Sequence, residues 1–401
     1  MPLDTGDTSF MLVATALVMI MTPGLAFFYG GLVSRKNVLA IMMQSYVSMG
    51  VSTILWVAVG YSLCFSGDVG GIIGNLDMAF LRGIEITDLG GLNDTIPLLL
   101  FVAYQMMFAI ITPALITGAF ANRITFKAYL IFLVAWQILV YYPFVHMIWG
   151  GGMLYEWGVL DFAGGIVVHA LAGMAALASV IYVGKRRVED AGPHNVPFVA
   201  IGAALLWFGW FGFNAGSELA VDGVTAVAFI NTQIAAAFAA ITWLLLAWHY
   251  DGKPSFVEML IGMIAGLATI TPAAGFVSPQ SAMLIGVAAG AACYFAVVFR
   301  KKKGLDDALD VWGVHGVGGA LGIIMLGVLA SESIGGQNGL YHGNQDFFMV
   351  QLAGLALACV WAFAFTYGML MMIDKVTPVR VSEEAEAALD VTLHGESAYT
   401  D

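Results

Sequence analysis

The chain has 401 residues, of which 60% are hydrophobic and only 10% are charged, and its formal net charge is −12. Soluble domains contain about 25% charged residues, so too few charges remain here to cover a water-facing surface. The composition therefore excludes an ordinary soluble protein and indicates an integral membrane protein, and the acidic balance argues against nucleic acid as a partner.

Eleven apolar stretches follow one another along the chain, and a transmembrane helix needs about 20 apolar residues. Their length and their weak strand-like alternation favour helices over barrel strands, so the predicted fold class is an all-α membrane protein. The first stretch is predicted to be retained, because no basic region of a signal peptide precedes it. The predicted spans are 9–31, 38–65, 95–119, 126–148, 162–184, 197–215, 225–249, 256–276, 281–299, 310–330 and 347–373.

The distribution of basic residues predicts the orientation of these spans. Cytoplasmic loops of membrane proteins are rich in Lys and Arg. With the N-terminus outside, eleven spans place every Lys and Arg except Arg82 on the inner side. The sequence thus predicts an outer N-terminus and an inner C-terminus, with acidic outer loops that suit a cationic substrate.

Spans 5 and 10 contain similar segments, "VHALAG" from Val168 and "VHGVGG" from Val314. Two halves of five helices each must have opposite orientations, because five is odd, and this predicts the inverted repeat found in many transporters. The predicted repeats cover about 9–184 and 197–330, and a final helix follows at 347–373. Together they form a transmembrane domain, 1–373, followed by a polar cytoplasmic tail, 374–401.

Two of the seven histidines, His169 and His315, lie inside spans 5 and 10. Polar side chains in a membrane are costly and usually face a cavity or pathway, although a single histidine can simply join two helices by a hydrogen bond. Two histidines at matching repeat positions favour a functional role. A metal site would need a third ligand at this depth. The nearest acids, Asp161 and Asp310, begin helices and are predicted N-caps, so no metal or cofactor is predicted.

Aromatic residues gather at the predicted outer ends of three spans. Tyr104 and Phe108 lie in span 3, Trp149 ends span 4, and Phe213 and Ser217 end span 6. Aromatic belts at membrane interfaces are ordinary. The alternative is a cation-binding site, because aromatic rings attract cations in desolvated surroundings.

The segment "DFAGGIVVHALAGMAALASVIYVGKR" strongly resembles the signature of the ammonium transporter (Amt) family, whose relatives include methylammonium permeases and Rhesus proteins. Further matching segments are "TPGLAFFYGGLV", "FAIITPALITGAFANR", "HMIWGGG", "WFGFNAGS" and "HGESAY". The resemblance covers nearly the whole chain in order. It implies a transporter rather than an enzyme, in the plasma membrane, assembled as a homotrimer with one pore per subunit.

The resemblance also implies roles for individual residues. It assigns an outer ammonium-recruitment site to Trp149, Phe108 and Ser217, with Asp161 as an acid required near the entrance. The gate beneath this site is assigned to Phe108 and Phe213. PII-type signalling proteins are implied as partners at the cytoplasmic face, and methylammonium as a further substrate.

His169 and His315 match the twin histidines of the family's dry lumen. Two positions depart from the family: Tyr104 stands where some members have Phe, and Ile261 where some have Ser. These departures bear on affinity and ion discrimination rather than on the substrate class.

The physics of ion transfer suggests a mechanism for such a pore. Moving an ion into a low-dielectric medium costs of order 20 kcal/mol by Born estimates, whereas neutral ammonia avoids most of this cost and potassium has no neutral form. Ammonium is therefore expected to lose a proton near the gate and to pass as ammonia. The sequence leaves open whether the proton also crosses. The alternatives are a Rhesus-like gas channel, an ammonium sensor and a membrane metalloenzyme.

Overall fold

The computed structural model describes residues 3–188 and 192–399, so the predicted domain limits at residues 1 and 401 lie outside the described residues. Secondary structure in the described part is helical apart from three isolated β-bridges. Within these residues, ten helices are long and apolar enough to cross a membrane. The all-helical membrane class predicted from composition is therefore confirmed.

All eleven predicted stretches contain a helix. In chain order, the main helices are α1 (Thr5–Leu32), α2 (Val38–Phe65), α3 (Leu98–Ile116), α4 (Phe126–Glu156), α5 (Gly165–Val183), α6 (Val196–Glu218), α7 (Gly223–Asp251), α8 (Phe256–Ile270), α9 (Pro279–Lys303), α10 (Trp312–Leu329) and α11 (Gln345–Asp374).

Helix α8 is shorter than its predicted span, 256–276. It has 15 residues and ends at Ile270, and the remaining residues form turns. The cause is Pro272, which has no amide hydrogen and so cannot continue the helical hydrogen-bond pattern. By length, therefore, ten helices and not eleven qualify as membrane spans within the described residues.

Local capping explains several helix boundaries. Asp4 accepts hydrogen bonds from two amides at the start of α1, and Asp222 forms a capping box with Thr225 at the start of α7. Gly252 ends α7 in the left-handed conformation, at φ 77°, which glycine adopts without a steric penalty. These caps satisfy backbone groups that a helix end otherwise leaves without partners.

Small residues allow the helices to pack closely. A side chain at Gly266 of α8 or at Gly286 of α9 would collide with the backbone of Ala235 in α7. Helices in membranes associate through van der Waals contact and require such small residues where their backbones approach. The glycine-rich composition is therefore partly a consequence of helix packing.

The tail after α11 folds back onto the inner ends of the helices. The amide of Thr125 donates to Val379, and the amide of Val381 donates to Arg123, both at 2.9 Å. Further along, the carboxylate of Asp390 accepts from two amides at the start of α2, at 2.8 and 3.0 Å. The described part of the tail is thus docked along its length.

Candidate functional site: an aromatic entrance above a histidine-lined lumen

Both membrane histidines lie on π-helical turns at the starts of helices. His169 belongs to the turn Gly165–Ala170 of α5, and His315 to the turn Trp312–Gly316 of α10. Such turns are rare and occur often at functional sites. Both side chains are buried. The similarity of the two segments therefore extends from sequence to backbone geometry.

The carboxylate of Asp161 holds the start of α5. Its Oδ1 accepts from the amides of Gly164 and Gly165, and its Oδ2 from those of the next two residues, at 2.5 to 3.0 Å. Burial raises the pKa of Asp161, and these four bonds partly oppose that rise. Gly164 occupies the N-cap position itself, but the predicted capping by the Asp161 carboxylate occurs, and backbone donors occupy both of its oxygens.

The predicted cap at Asp310 is wrong. Asp310 forms an ion pair with Arg300, whose guanidinium is also buried and requires an anion. The start of α10 is held instead by Asp307, whose Oδ2 accepts from the amide of Trp312 at 2.7 Å. Burial raises the pKa of Asp307 to about 6, and the charge of Arg300 opposes this rise.

Two glycines bring the histidine segments together. A Cβ at Gly173, four residues after His169, would overlap the backbone of Gly316. A Cβ at Gly319, four residues after His315, would meet the side chain of His169 and the neighbouring backbone. Each glycine therefore lets its helix approach the histidine segment of the other, which is a reciprocal arrangement.

This approach places the two imidazoles in contact. Their ring centroids lie 5.2 Å apart and nearly parallel, and the two Nδ1 atoms are 3.2 Å apart. One Nδ1 must donate and the other accept, so at least one ring is neutral. The Nε2 of His169 is buried and has no hydrogen-bond partner among the described residues. The histidine pair can therefore form a further hydrogen bond with a small molecule.

A narrow cavity lies beside the histidines. Its volume is about 20 Å³, and it is lined almost entirely by apolar side chains together with His169 and His315. A single water-sized molecule needs roughly 10–15 Å³ of such space. The lumen therefore fits a molecule the size of water or ammonia and leaves no room for the hydration shell of an ion.

Two aromatic rings in contact, tilted 34° to each other, close the outer end of this lumen. The centroids of Phe108 on α3 and Phe213 on α6 are 4.3 Å apart, and both residues are 1% exposed. Phe213 also lies 6.1 Å from the His169 ring, centroid to centroid. The ring pair separates the histidine cavity from the outer face.

Two rings and one hydroxyl on the outer side of this ring pair line the same cavity, namely Phe108, Trp149 and Ser217. Trp149 lies 6.2 Å from Phe108, centroid to centroid, and its indole donates to the backbone carbonyl of Asp161 at 2.8 Å. Ser217 donates to the carbonyl of Phe213 at 2.9 Å. Because its proton is used there, the lone pairs of the Ser217 oxygen can accept from a ligand.

Tyr104 adds a hydroxyl beside this serine. Its oxygen lies 3.3 Å from Ser217 Oγ and 2.9 Å from the carbonyl of Gly212. The tyrosine is buried and does not line the outer cavity, so its hydroxyl contacts Ser217 from the protein side. Ile261 lines neither the lumen nor the entrance, whereas Ile264, less than one helical turn further, lines the lumen.

This open cavity has a volume of about 490 Å³ and lies outside the pair Phe108 and Phe213. Its wall includes Phe108, Trp149, Asp161 and Ser217. The structure therefore brings the predicted recruitment residues together at one cavity. It places the predicted gate at the bottom of this cavity and the predicted histidines beneath the gate.

Sequence reasoning missed two residues of this region. Trp210 stacks on His169 with centroids 5.4 Å apart, and it lies one helical turn before Phe213, a spacing that places both on one face of α6. Asp307 precedes His315 by eight residues, as Asp161 precedes His169. A comparison of these spacings would have identified the second cap.

No group of three or more His, Cys, Asp or Glu side chains suited to a metal ion occurs in the described residues. The three cysteines are free, and none lines the lumen. The geometry therefore offers no support for the metalloenzyme alternative.

Ten membrane-length helices in the described residues, together with a narrow cavity that contains two histidines, define a polytopic membrane protein of the transporter class. The sequence profile of the Ammonium Transporter Family matches residues 9–399, and the chain belongs to this family.

Individual relatives agree with this membership. The ammonium transporter of Bacillus subtilis is 46% identical over 404 residues, covering 100% of both chains. The crystal structure of Saccharomyces cerevisiae Mep2 superposes with a TM-score of 0.89 at 33% identity, covering 95% of this chain and 88% of that one. A structure described as a sensor Amt protein has a TM-score of 0.89 at 28% identity and covers 97% and 98% of the two chains.

Proposed function

We propose that this protein transports ammonium across the plasma membrane by binding the cation outside, removing a proton and conducting ammonia. The observation that carries the proposal is the 20 Å³ lumen, closed by Phe108 and Phe213 and containing the histidine pair. The family membership and the B. subtilis relative supply the substrate class. Methylammonium is a further expected substrate.

The outer aromatic cavity is the proposed recruitment site. The ring of Trp149 offers a cation–π surface, and Ser217 offers an oxygen acceptor for an N–H group. Ammonium donates hydrogen bonds and potassium does not, so an acceptor beside the rings favours ammonium. Asp161 is proposed to act by positioning other groups. Its carboxylate holds the start of α5, and its backbone carbonyl orients Trp149.

The lumen discriminates a second time between ammonium and potassium. An ion that enters it must lose its water, and the wall offers almost no polar groups in exchange. Ammonia loses far less hydration energy and meets the histidine nitrogens, which supply one donor and one acceptor between them. The histidine pair is thus the proposed polar surface for the neutral base.

The finer architecture is also a proposal. We infer two five-helix halves related by an inverted repeat, with α11 as an addition and α8 as an eleventh, shorter span. The reciprocal glycines and the two matching Asp–His spacings support this pairing. An outer N-terminus and an inner tail follow from the basic residues, and a homotrimer follows from the family resemblance.

The first test is transport by purified protein in liposomes. An inward ammonium gradient is expected to produce uptake, whereas an equal potassium gradient produces none above empty liposomes. Electrode currents recorded in parallel determine whether the proton also crosses. Potassium flux equal to ammonium flux would contradict the proposed dry lumen, and an intact ammonium flux without current would exclude net charge transfer.

A second candidate function is ammonium sensing, favoured by the likeness to a sensor Amt protein. A sensor needs a ligand-dependent output and no sustained flux. Ammonium binding to the purified protein, seen by calorimetry, without uptake in the liposome assay would support sensing over transport.

The docked tail is the proposed regulatory element, 374–401. It joins three inner segments: Asp390 caps the start of α2, Val381 pairs with Arg123 after α3, and Glu386 accepts from the amide of Arg187 after α5. These segments belong to the first proposed half and to the linker after it, and they give the tail a physical route to the helices around the pore. A PII-type protein is the expected partner on this face.

Asp390→Ala removes the acceptor for two amides of α2 and is expected to release the end of the tail. Faster hydrogen exchange across 383–399 and altered ammonium uptake are the expected results, measured by mass spectrometry and the liposome assay. Glu396→Ala changes an exposed acid on the same tail and serves as the control. Normal uptake and an unchanged PII response after deletion beyond Thr377 would contradict a regulatory role.

A further inference from the structure

The wall of the outer cavity contains a second acid, Glu218, that the recruitment site described above does not use. Glu218 directly follows Ser217 in a short 3₁₀ turn that ends α6. Leu219 then turns the chain in the left-handed conformation, at φ 60°. The turn therefore places the serine hydroxyl and this carboxylate in the wall of the same cavity.

The two acids of the cavity differ in whether their carboxylate oxygens already accept hydrogen bonds from the protein. Both oxygens of Asp161 accept backbone hydrogen bonds. Glu218 is half-buried, and its carboxylate has no hydrogen-bond or ion-pair partner among the described residues. The oxygens of Glu218 are therefore free to accept hydrogen bonds from a cation in the cavity, whereas those of Asp161 are not.

The surroundings of Glu218 favour a cation. Among the residues that the structure describes, no Lys or Arg contributes to the cavity wall, and the charged neighbour that affects Glu218 is another acid, Asp222. Cavities lined by one sign of charge concentrate counter-ions and raise their rate of association. An anionic or neutral ligand would gain nothing from this arrangement.

We propose that Glu218 is an additional cation-capture residue, which attracts ammonium to the outer mouth and delivers it to the ring site beside Ser217. This inference rests on the proposed function and adds a residue to it. Since Glu218 lies outside the closed ring pair, it acts on the entry of the cation and not on conduction of ammonia. Its effect is therefore on half-saturation and not on maximal rate.

The test is ammonium uptake by Glu218→Gln, which keeps the shape of the side chain and removes its charge. We expect the half-saturating ammonium concentration to rise about three- to tenfold with an unchanged maximal rate, the size expected for one unit charge near a wet site. The difference should shrink at high ionic strength, because salt screens exposed charges.

Two further variants isolate the role of charge at this position. Glu218→Asp keeps the charge and should stay close to the wild type. Glu156→Gln removes an exposed outer charge that does not line the cavity, and it should leave half-saturation unchanged. Equal half-saturation in the wild type and Glu218→Gln, with ammonium uptake intact, would overturn this inference alone. Loss of uptake in the wild type itself would overturn the proposed function.

Discussion

His169→Ala is expected to lower ammonium uptake by about 10- to 100-fold. The substitution leaves Nδ1 of His315 without the partner that lies 3.2 Å away and removes the unpartnered Nε2 of a residue that lines the lumen. An unsatisfied buried polar group costs about 1–3 kcal/mol, and this cost would apply to each ammonia that passes the apolar wall. Initial rates of uptake in liposomes measure the effect.

The matched control is His249→Ala, because His249 is exposed at the end of α7, away from the lumen. It should transport like the wild type. His315→Ala should resemble His169→Ala, and the double variant should lose little more, since the two rings act as one hydrogen-bonded unit. Unchanged uptake and unchanged discrimination against potassium in His169→Ala would remove the histidine pair from the mechanism.

Asp161→Ala is expected to reduce ammonium uptake by at least about 100-fold and to lower thermal stability. Four amides at the start of α5 lose a charged acceptor, and hydrogen bonds to charged groups contribute about 1.5–3 kcal/mol each, although such values do not simply add. The turn that carries His169 would then shift, and so would the carbonyl that orients Trp149. Uptake and the melting temperature of the purified protein are both measured.

Asp222→Ala is the control for loss of a helix cap. Asp222 also accepts two amides at a helix start, but it is exposed and lies outside the lumen. Its loss should cost about 1 kcal/mol of stability and leave uptake nearly normal. Wild-type uptake in Asp161→Ala, with the protein folded, would show that the position of α5 does not depend on this carboxylate.

The extent to which sequence predicted the site differs between its parts. Membrane depth made His169 and His315 conspicuous, because a polar ring in an apolar stretch is costly and therefore informative. Trp210 and Asp307 lacked such a signal. Trp210 lies among many aromatic residues, and Asp307 stands three residues before an acid that fits the expected cap position better.

A contact with another helix explains the incorrect cap at Asp310, and a proline within the stretch explains why the helix at 256–276 is short. Asp310 would cap a helix in isolation, but the buried Arg300 of α9 takes its carboxylate. The apolar stretch 256–276 has the composition of a full span, but Pro272 ends α8 early, and the following turn packs against Gly165 at the start of α5. Helix propensity and hydropathy describe one segment at a time, so they do not account for the competition of Arg300 for the Asp310 carboxylate.

The sequence by itself determined the membrane class, the helical content, the family and the residue types of the proposed pathway. Hydropathy and the distribution of charge are properties of the chain that every folded arrangement must satisfy. Only the tertiary structure decided the 4.3 Å ring contact, the pairing of the two imidazoles and the unpartnered carboxylate of Glu218. Each of these depends on how closely separate helices approach, and that distance is set by packing between segments far apart in the chain.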